Sequence, residues 1–177
     1  MVNLDKLLEF ASPFYSNKDE MHNLSHIYRM IKAAQSLMKY YKGQVNGDLI
    51  IYGSYFHGLI DCQEEPIREY LASRGIPPEQ VDKIVQVSWE SKKDQIPNSL
   101  EGKILHDAHL IEGGKTYLIV KSLITGTVRG QSLEQTIKYI EKNILGKASC
   151  FLPEAQSIYS EKEGFARQFL DDLQAGL

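Results

Sequence analysis

Ser54-Tyr55-Phe56-His57-Gly58-Leu59-Ile60-Asp61 decides the reading of this chain. It lies inside the run Leu49 to Cys62, where Leu49, Ile50, Ile51, Tyr52, Tyr55, Phe56, Leu59 and Ile60 leave almost no polar face. A helix that is apolar nearly all round belongs at the centre of a core. A helix over 49–62, with Asp48 as its cap, therefore buries His57, and a buried imidazole needs a partner. Residues four apart share a helix face, so His57 and Asp61 are expected to meet the same neighbour. Gly53 and Gly58 weaken such a helix by roughly 0.5–1 kcal/mol each relative to Ala, which suggests that something packs closely there.

Outward from this stretch the pattern is helical. Asn3 caps a short helix carrying Leu4, Leu7, Leu8 and Ala11. Leu24, Ile27, Met30, Ile31, Ala34, Leu37, Met38 and Tyr41 form an apolar stripe that stops at Gly43. Pro66 suits a helix first turn, and Pro77-Pro78 opens another helix reaching Ser88. Trp89 to Pro97 reads as a loop. Asn98 with Glu101 reads as a capping pair for a helix over 99–112, and Ser132 with Gln135 as another pair. Lys115 to Thr125 has the look of a buried strand, but no partner strand is evident, so it reads as helix. Pro153 opens the last helix, with Phe165, Phe169 and Leu170 on its inner side. The expectation is an all-α protein, one domain over 1–177, with about eight helices.

Composition bounds the function. Hydrophobic content of 42% and charged content of 24% suit a globular domain, and a net charge of −3 argues against nucleic acid or an anionic membrane as partner. Cys62 and Cys150 have no CxxC spacing, and Met1 to Phe10 lacks the apolar core of a signal peptide, so a cytoplasmic location is expected. No stretch approaches the ~20 apolar residues of a membrane span.

All five histidines fall in three short clusters: His22 and His26, His57, then His106 and His109. The inward-facing candidates are His26, His57, Asp61 and Asp107. Asp107 is three after Ile104 and four before Ile111, on the apolar face of its helix. His22, His106 and His109 are expected at the surface or at a pocket rim. Imidazoles with one or two carboxylates, projecting from separate helices, suit a divalent ion such as Zn, Mn, Fe, Ni or Mg. Such an ion lowers the pKa of a bound water. For Asp107 an alternative is a structural carboxylate paired with His26 or His57. For Asp61 it is a partner that fixes the His57 tautomer.

Three elements in this order, Leu24 to Met30 around His26, Tyr55 to Ile60 around His57, and Leu100 to Ala108 around Asp107, resemble the HD-domain metal-dependent phosphohydrolase superfamily, and within it small stand-alone bacterial proteins. The resemblance covers about residues 20 to 173. It implies a helical domain, a metal held by His26, His57 and Asp107, and hydrolysis of a small phosphorylated compound such as a nucleotide, with Asp61 as the carboxylate that orients or deprotonates water. One departure stands out. The doublet's second member is Gly58 rather than Asp, which implies weaker metal binding than in relatives with the full doublet. A non-catalytic protein binding a ligand or partner is the competing expectation. Trp89-Glu90-Ser91 stands where many relatives have a further His, and His109 where this subgroup often has an acid.

Overall fold

The computed structural model describes residues 2–177. The helices are α1 (Leu4–Tyr15), α2 (Leu24–Met38), α3 (Gly47–Phe56), α4 (Ile60–Ser73), α5 (Pro78–Glu90), α6 (Leu100–Ile111), α7 (Tyr117–Val128), α8 (Leu133–Asn143) and α9 (Pro153–Gly176). A single 3₁₀ turn, Lys39–Tyr41, extends α2, and the described residues contain no strand. The all-α expectation holds. α2 lies along α6 and α3 along α5, while α4 and α6 close on α5; α7 packs on α8 and α9, and α9 on α6.

α3 is the central helix, with Leu49, Ile50, Tyr52, Gly53, Ser54, Tyr55 and Phe56 all buried. Gly53 is required by that position. A Cβ there would come within 2.7 Å of Leu105 Cδ1 and 2.9 Å of Val87 Cγ1, so α5 and α6 approach α3 closely only because residue 53 has no side chain.

The helix expected over 49–62 is instead two helices. α3 ends at Phe56 and α4 begins at Ile60. The break falls at Gly58, whose N–H and C=O are engaged from outside: Tyr15 Oη accepts from the amide at 3.2 Å, and Lys18 Nζ donates to the carbonyl at 2.7 Å. Asn46, not Asp48, caps α3, accepting from Asp48 N. α4 is itself kinked at Gln63, three residues before Pro66. A proline clashes with the carbonyl four residues back, so Pro66 sits in the first turn after that kink. α5 runs on through Trp89 and Glu90, and Glu90 draws the following loop back: its carboxylate accepts from Gln86 Nε2, the Asn98 and Ser99 amides and Ser99 Oγ. Ser99, one residue beyond the expected Asn98, caps α6. The Ser132–Gln135 capping box and the proline start of α9 are as expected.

α6 and α9 are tied at two points, both in the C-terminal half of α6. At one, the fully buried Asp107 carboxylate accepts from Phe151 N at 2.9 Å and Leu152 N at 2.8 Å, the amides that open α9, and from His106 Nδ1 at 2.9 Å. Leu152, the N-cap residue, offers no side-chain cap, so Asp107 supplies it from another helix. At the other, Lys162 from the middle of α9 donates to the carbonyls of Leu110 at 2.9 Å and Glu112 at 2.6 Å, orphan acceptors at the end of α6.

This assigns Asp107 a structural role with a measurable size. Asp107→Ala strands one buried amide, one half-buried amide and one imidazole N–H, and should cost about 2–4 kcal/mol of unfolding free energy. Urea denaturation at neutral pH checks it, and an unchanged midpoint would remove the assignment.

Candidate metal centre and ligand pocket

Three helices each deliver one imidazole to a common point. His26 comes from the first turn of α2, whose Asn23 cap accepts from Ser25 N at 2.8 Å. His57 is the C-cap residue of α3, held by its amide bond to Gly53 O. His109 comes from the last turn of α6. One nitrogen from each lies within 4.8 Å of the others. Ring centroids are 5.5 Å apart for His26–His57, 5.3 Å for His26–His109 and 4.6 Å for His57–His109.

Hydrogen bonding fixes which nitrogens are bare. Ser91 Oγ donates its proton to Ser88 O at 2.6 Å, so at its 2.8 Å contact with His57 it must accept from Nδ1–H. His57 Nε2 is left with a free lone pair. His26 Nδ1 lies 2.9 Å from the Glu112 carboxylate, which only accepts, so His26 Nε2 is bare as well. His109 Nδ1 is shut off from solvent and has no hydrogen-bond partner. The hydroxyl behind His57 and the carboxylate behind His26 are the arrangement that orients metal-binding histidines.

Electrostatics keep the rings neutral. Burial pushes His57 well below the usual imidazole range, and the neighbouring His26 and Lys92 push the same way. Burial, then His57 and Lys121, do likewise for His109. At His26 burial outweighs the opposing pull of Glu112. Burial alone would raise the Glu112 carboxyl; its bonds to His26 and Lys121 win and hold it at about 2. Glu112 also accepts from Arg29 Nε at 3.2 Å and from Lys121 Nζ at 2.6 Å.

The three rings form part of the wall of a pocket of about 860 Å³. Seven lysine and arginine side chains line it against three carboxylates, a basic cavity in a protein of net charge −3. Lys18 lines the same pocket, bonded to the carbonyl of Gly58. A Cβ on Gly58 would lie 2.9 Å from Lys18 Nζ and 2.9 Å from Tyr15 Oη, so an ammonium and a phenol occupy the space a carboxylate at position 58 would enter. Tyr15 is anchored by donating to Tyr55 O at 2.8 Å.

The structure brings together His26 and His57 as expected, and adds His109. Asp107 is not among them: it lies outside the pocket lining with its oxygens committed to α9. Asp61 is on the pocket wall, yet the break at Gly58 takes it off the His57 face, and it pairs with Lys92. Its expected contact with His57 is replaced by that of Ser91. His106 is buried against Phe151 and Asp107 rather than at the surface. His22 is at the rim, paired with Asp19. Glu112 was missed by reading the sequence. Its signal there is the spacing His109-Leu110-Ile111-Glu112, which puts both near one face of the helix end.

Fold and site together define a single-domain helical protein with an inward triad of imidazoles under a basic pocket. No family model matches the sequence, and no curated protein matches it significantly. Solved structures share the fold. Bacillus subtilis YpgQ, crystallised in complex with ADP, superimposes with a TM-score of 0.77 at 16% identity over 98% of this chain and 97% of that one. A Lactobacillus plantarum protein gives 0.79 at 14% identity over 99% and 98%. A Listeria innocua protein gives 0.73 at 18% over 98% and 96%. No helix of the described residues is long and apolar enough to cross a membrane.

The lowered imidazole pKa values set a pH dependence. An unfolded histidine protonates near pH ~6.5 and the buried ones only lower, so the unfolded state binds more protons below ~6.5. Stability of chelator-treated protein should therefore fall from pH ~6.5 downward, by up to about 1.4 kcal/mol per pH unit for each ring. The depressed Glu112 carboxyl adds a second loss between its unfolded value of ~4.3 and its folded value of about 2. Denaturation midpoints at about pH 7.5, 6.5 and 5.5, roughly bracketing the imidazole range, test the first window, and His109→Leu should flatten the fall.

Proposed function

We propose that this chain is a metal-dependent phosphohydrolase of the HD superfamily, or a degenerate relative of one, acting on a small phosphorylated compound such as a nucleotide. The observation that carries the reading is the convergence of His26, His57 and His109, two of them with a lone pair freed by a partner behind the ring, at the wall of a basic pocket. The ADP carried by YpgQ, a protein of the same fold, supports a nucleotide as the class of ligand.

The donor set fits a metal. Three neutral imidazoles suit zinc, nickel, cobalt or iron better than magnesium or calcium, which prefer oxygen. When bound, a divalent ion supplies Lewis acidity toward a phosphoryl oxygen. The remaining work falls to this chain's side chains. Glu112 and Ser91 hold His26 and His57 in the tautomers that present Nε2. Lys18, Lys121 and Lys162 line the pocket wall and meet phosphate charge. Asp61, on the same wall, accepts a proton from water once Lys92 turns to a phosphate.

One observation favours the second reading, a non-catalytic ligand-binding protein: at Gly58 the space of a carboxylate is filled by Lys18 and Tyr15. Phosphate release from a panel of nucleotides, assayed with zinc, nickel, cobalt, manganese and magnesium in turn, separates the two. The enzyme reading expects turnover with at least one metal. It also expects His57→Ala to abolish turnover and Glu112→Gln to reduce it about 10–100-fold, the usual loss for a residue behind a ligand. ADP binding by calorimetry with no turnover under any metal would leave the binding reading.

A further inference from the structure

We infer that the triad takes its metal together with an anion: a divalent ion at His26, His57 and His109 and a phosphate group in the adjoining pocket bind cooperatively, each incomplete without the other. The inference rests on the metal reading above and concerns how that same site is charged.

The argument is one of neutralisation. A divalent ion in a protein interior is ordinarily offset by anionic ligands, carboxylate or thiolate, or, where the protein ligands are all imidazole, by a hydroxide or other anion in the open position. Among the described residues, the group that converges on this point is imidazole only. The three nearby carboxylates are already engaged. Glu112 is shared by His26, Arg29 and Lys121. Asp61 is paired with Lys92. Asp107 caps α9.

What surrounds the triad instead is positive. Lys18 donates to the carbonyl of Gly58, the residue after His57, and its Nζ stands where a side chain at 58 would begin. Lys162 donates to two carbonyls at the end of α6, next to His109 and Glu112. Lys92 and Lys121 line the same pocket. A dication entering alone meets like charge, and the carboxylates near it are already shared with Arg29, Lys121 and Lys92. An anion that enters with it balances both the ion and the lysines. A phosphate group has the required charge and several acceptor oxygens, and the pocket of about 860 Å³ has room for a phosphorylated small molecule.

His109 Nδ1 adds an independent pointer to a ligand. It is buried on the pocket wall with no hydrogen-bond partner, which is costly unless something occupies the site in the working protein. Reciprocity then sets the form of the effect: whatever factor phosphate adds to metal affinity, metal adds to phosphate affinity.

The test uses metal-free whole protein, cobalt(II) as the probe and inorganic phosphate as the anion. Cobalt binding is read from its visible absorption and by calorimetry, with and without phosphate, and His57→Ala shows that the signal comes from the triad. We expect phosphate to tighten cobalt binding about tenfold or more, and cobalt to tighten phosphate binding by the same factor. Gly58→Asp places a carboxylate beside His57 and against Lys18, so cobalt should bind it without phosphate and the phosphate effect should largely vanish. Should that variant fail to fold, Lys18→Met gives the complementary result: tighter cobalt alone and a smaller phosphate effect. Cobalt bound at the triad equally well with and without phosphate would overturn the inference while leaving the metal reading intact. No cobalt signal in either condition, from protein that melts normally, overturns both.

Discussion

The buried carboxylate of Glu112, just beyond the end of α6, is the point on which site and fold both depend. Its side chain is almost wholly out of water and carries a charge, which no protein interior tolerates unpaired. His26, Arg29 and Lys121 surround the carboxylate, and Lys162 takes its backbone carbonyl. Those partners come from α2, α7 and α9. Satisfying this one residue, its carboxylate from α2 and α7 and its carbonyl from α9, therefore draws three helices to the end of a fourth, and the bond from His26 to the acid turns that ring so that Nε2 faces inward. The architecture and the chemistry share one hydrogen-bond network, so the geometry of the triad is maintained by the stability of the fold itself.

The break at Gly58 is the second constraint. A continuous helix through 57–61 would put His57 and Asp61 on one face. By ending α3 at Phe56 the chain leaves His57 facing α2 and α6 while Asp61 turns to the pocket wall and Lys92. Glycine lets Tyr15 and Lys18 approach the backbone there. The result is a site that has exchanged a carboxylate for an ammonium and has become basic around a neutral centre. That exchange suits an incoming anion better than a bare cation.

The pocket also shows why net charge is a poor guide to local chemistry. The chain as a whole is acidic, and reading that sum argues against anionic partners such as nucleic acid. Within the cavity the balance reverses, because seven lysine and arginine side chains line it against three carboxylates, and most of the chain's acids lie elsewhere. A small phosphorylated ligand samples the local field, not the sum.

Much of the fold was legible in the sequence by itself. Apolar spacing at 3.6 residues, the glycine stop at Gly43, the Ser132–Gln135 box and Pro153 are local signals, and local physics determines helices. That His57 is buried and that Gly53 marks a close approach follow from the same pattern. Only the tertiary structure decided which buried polar groups meet. Periodicity correctly puts Asp107 on a buried face, but α6 is buried nearly all round, with His106, Asp107 and Ala108 covered on successive faces. Burial then says nothing about which neighbour a side chain faces. Asp107 looks to the opening amides of α9, and His109, two residues on, looks to His26 and His57. Angles of about 100° per residue separate those directions, and only the packing of α2, α3 and α9 around α6 assigns each direction a partner.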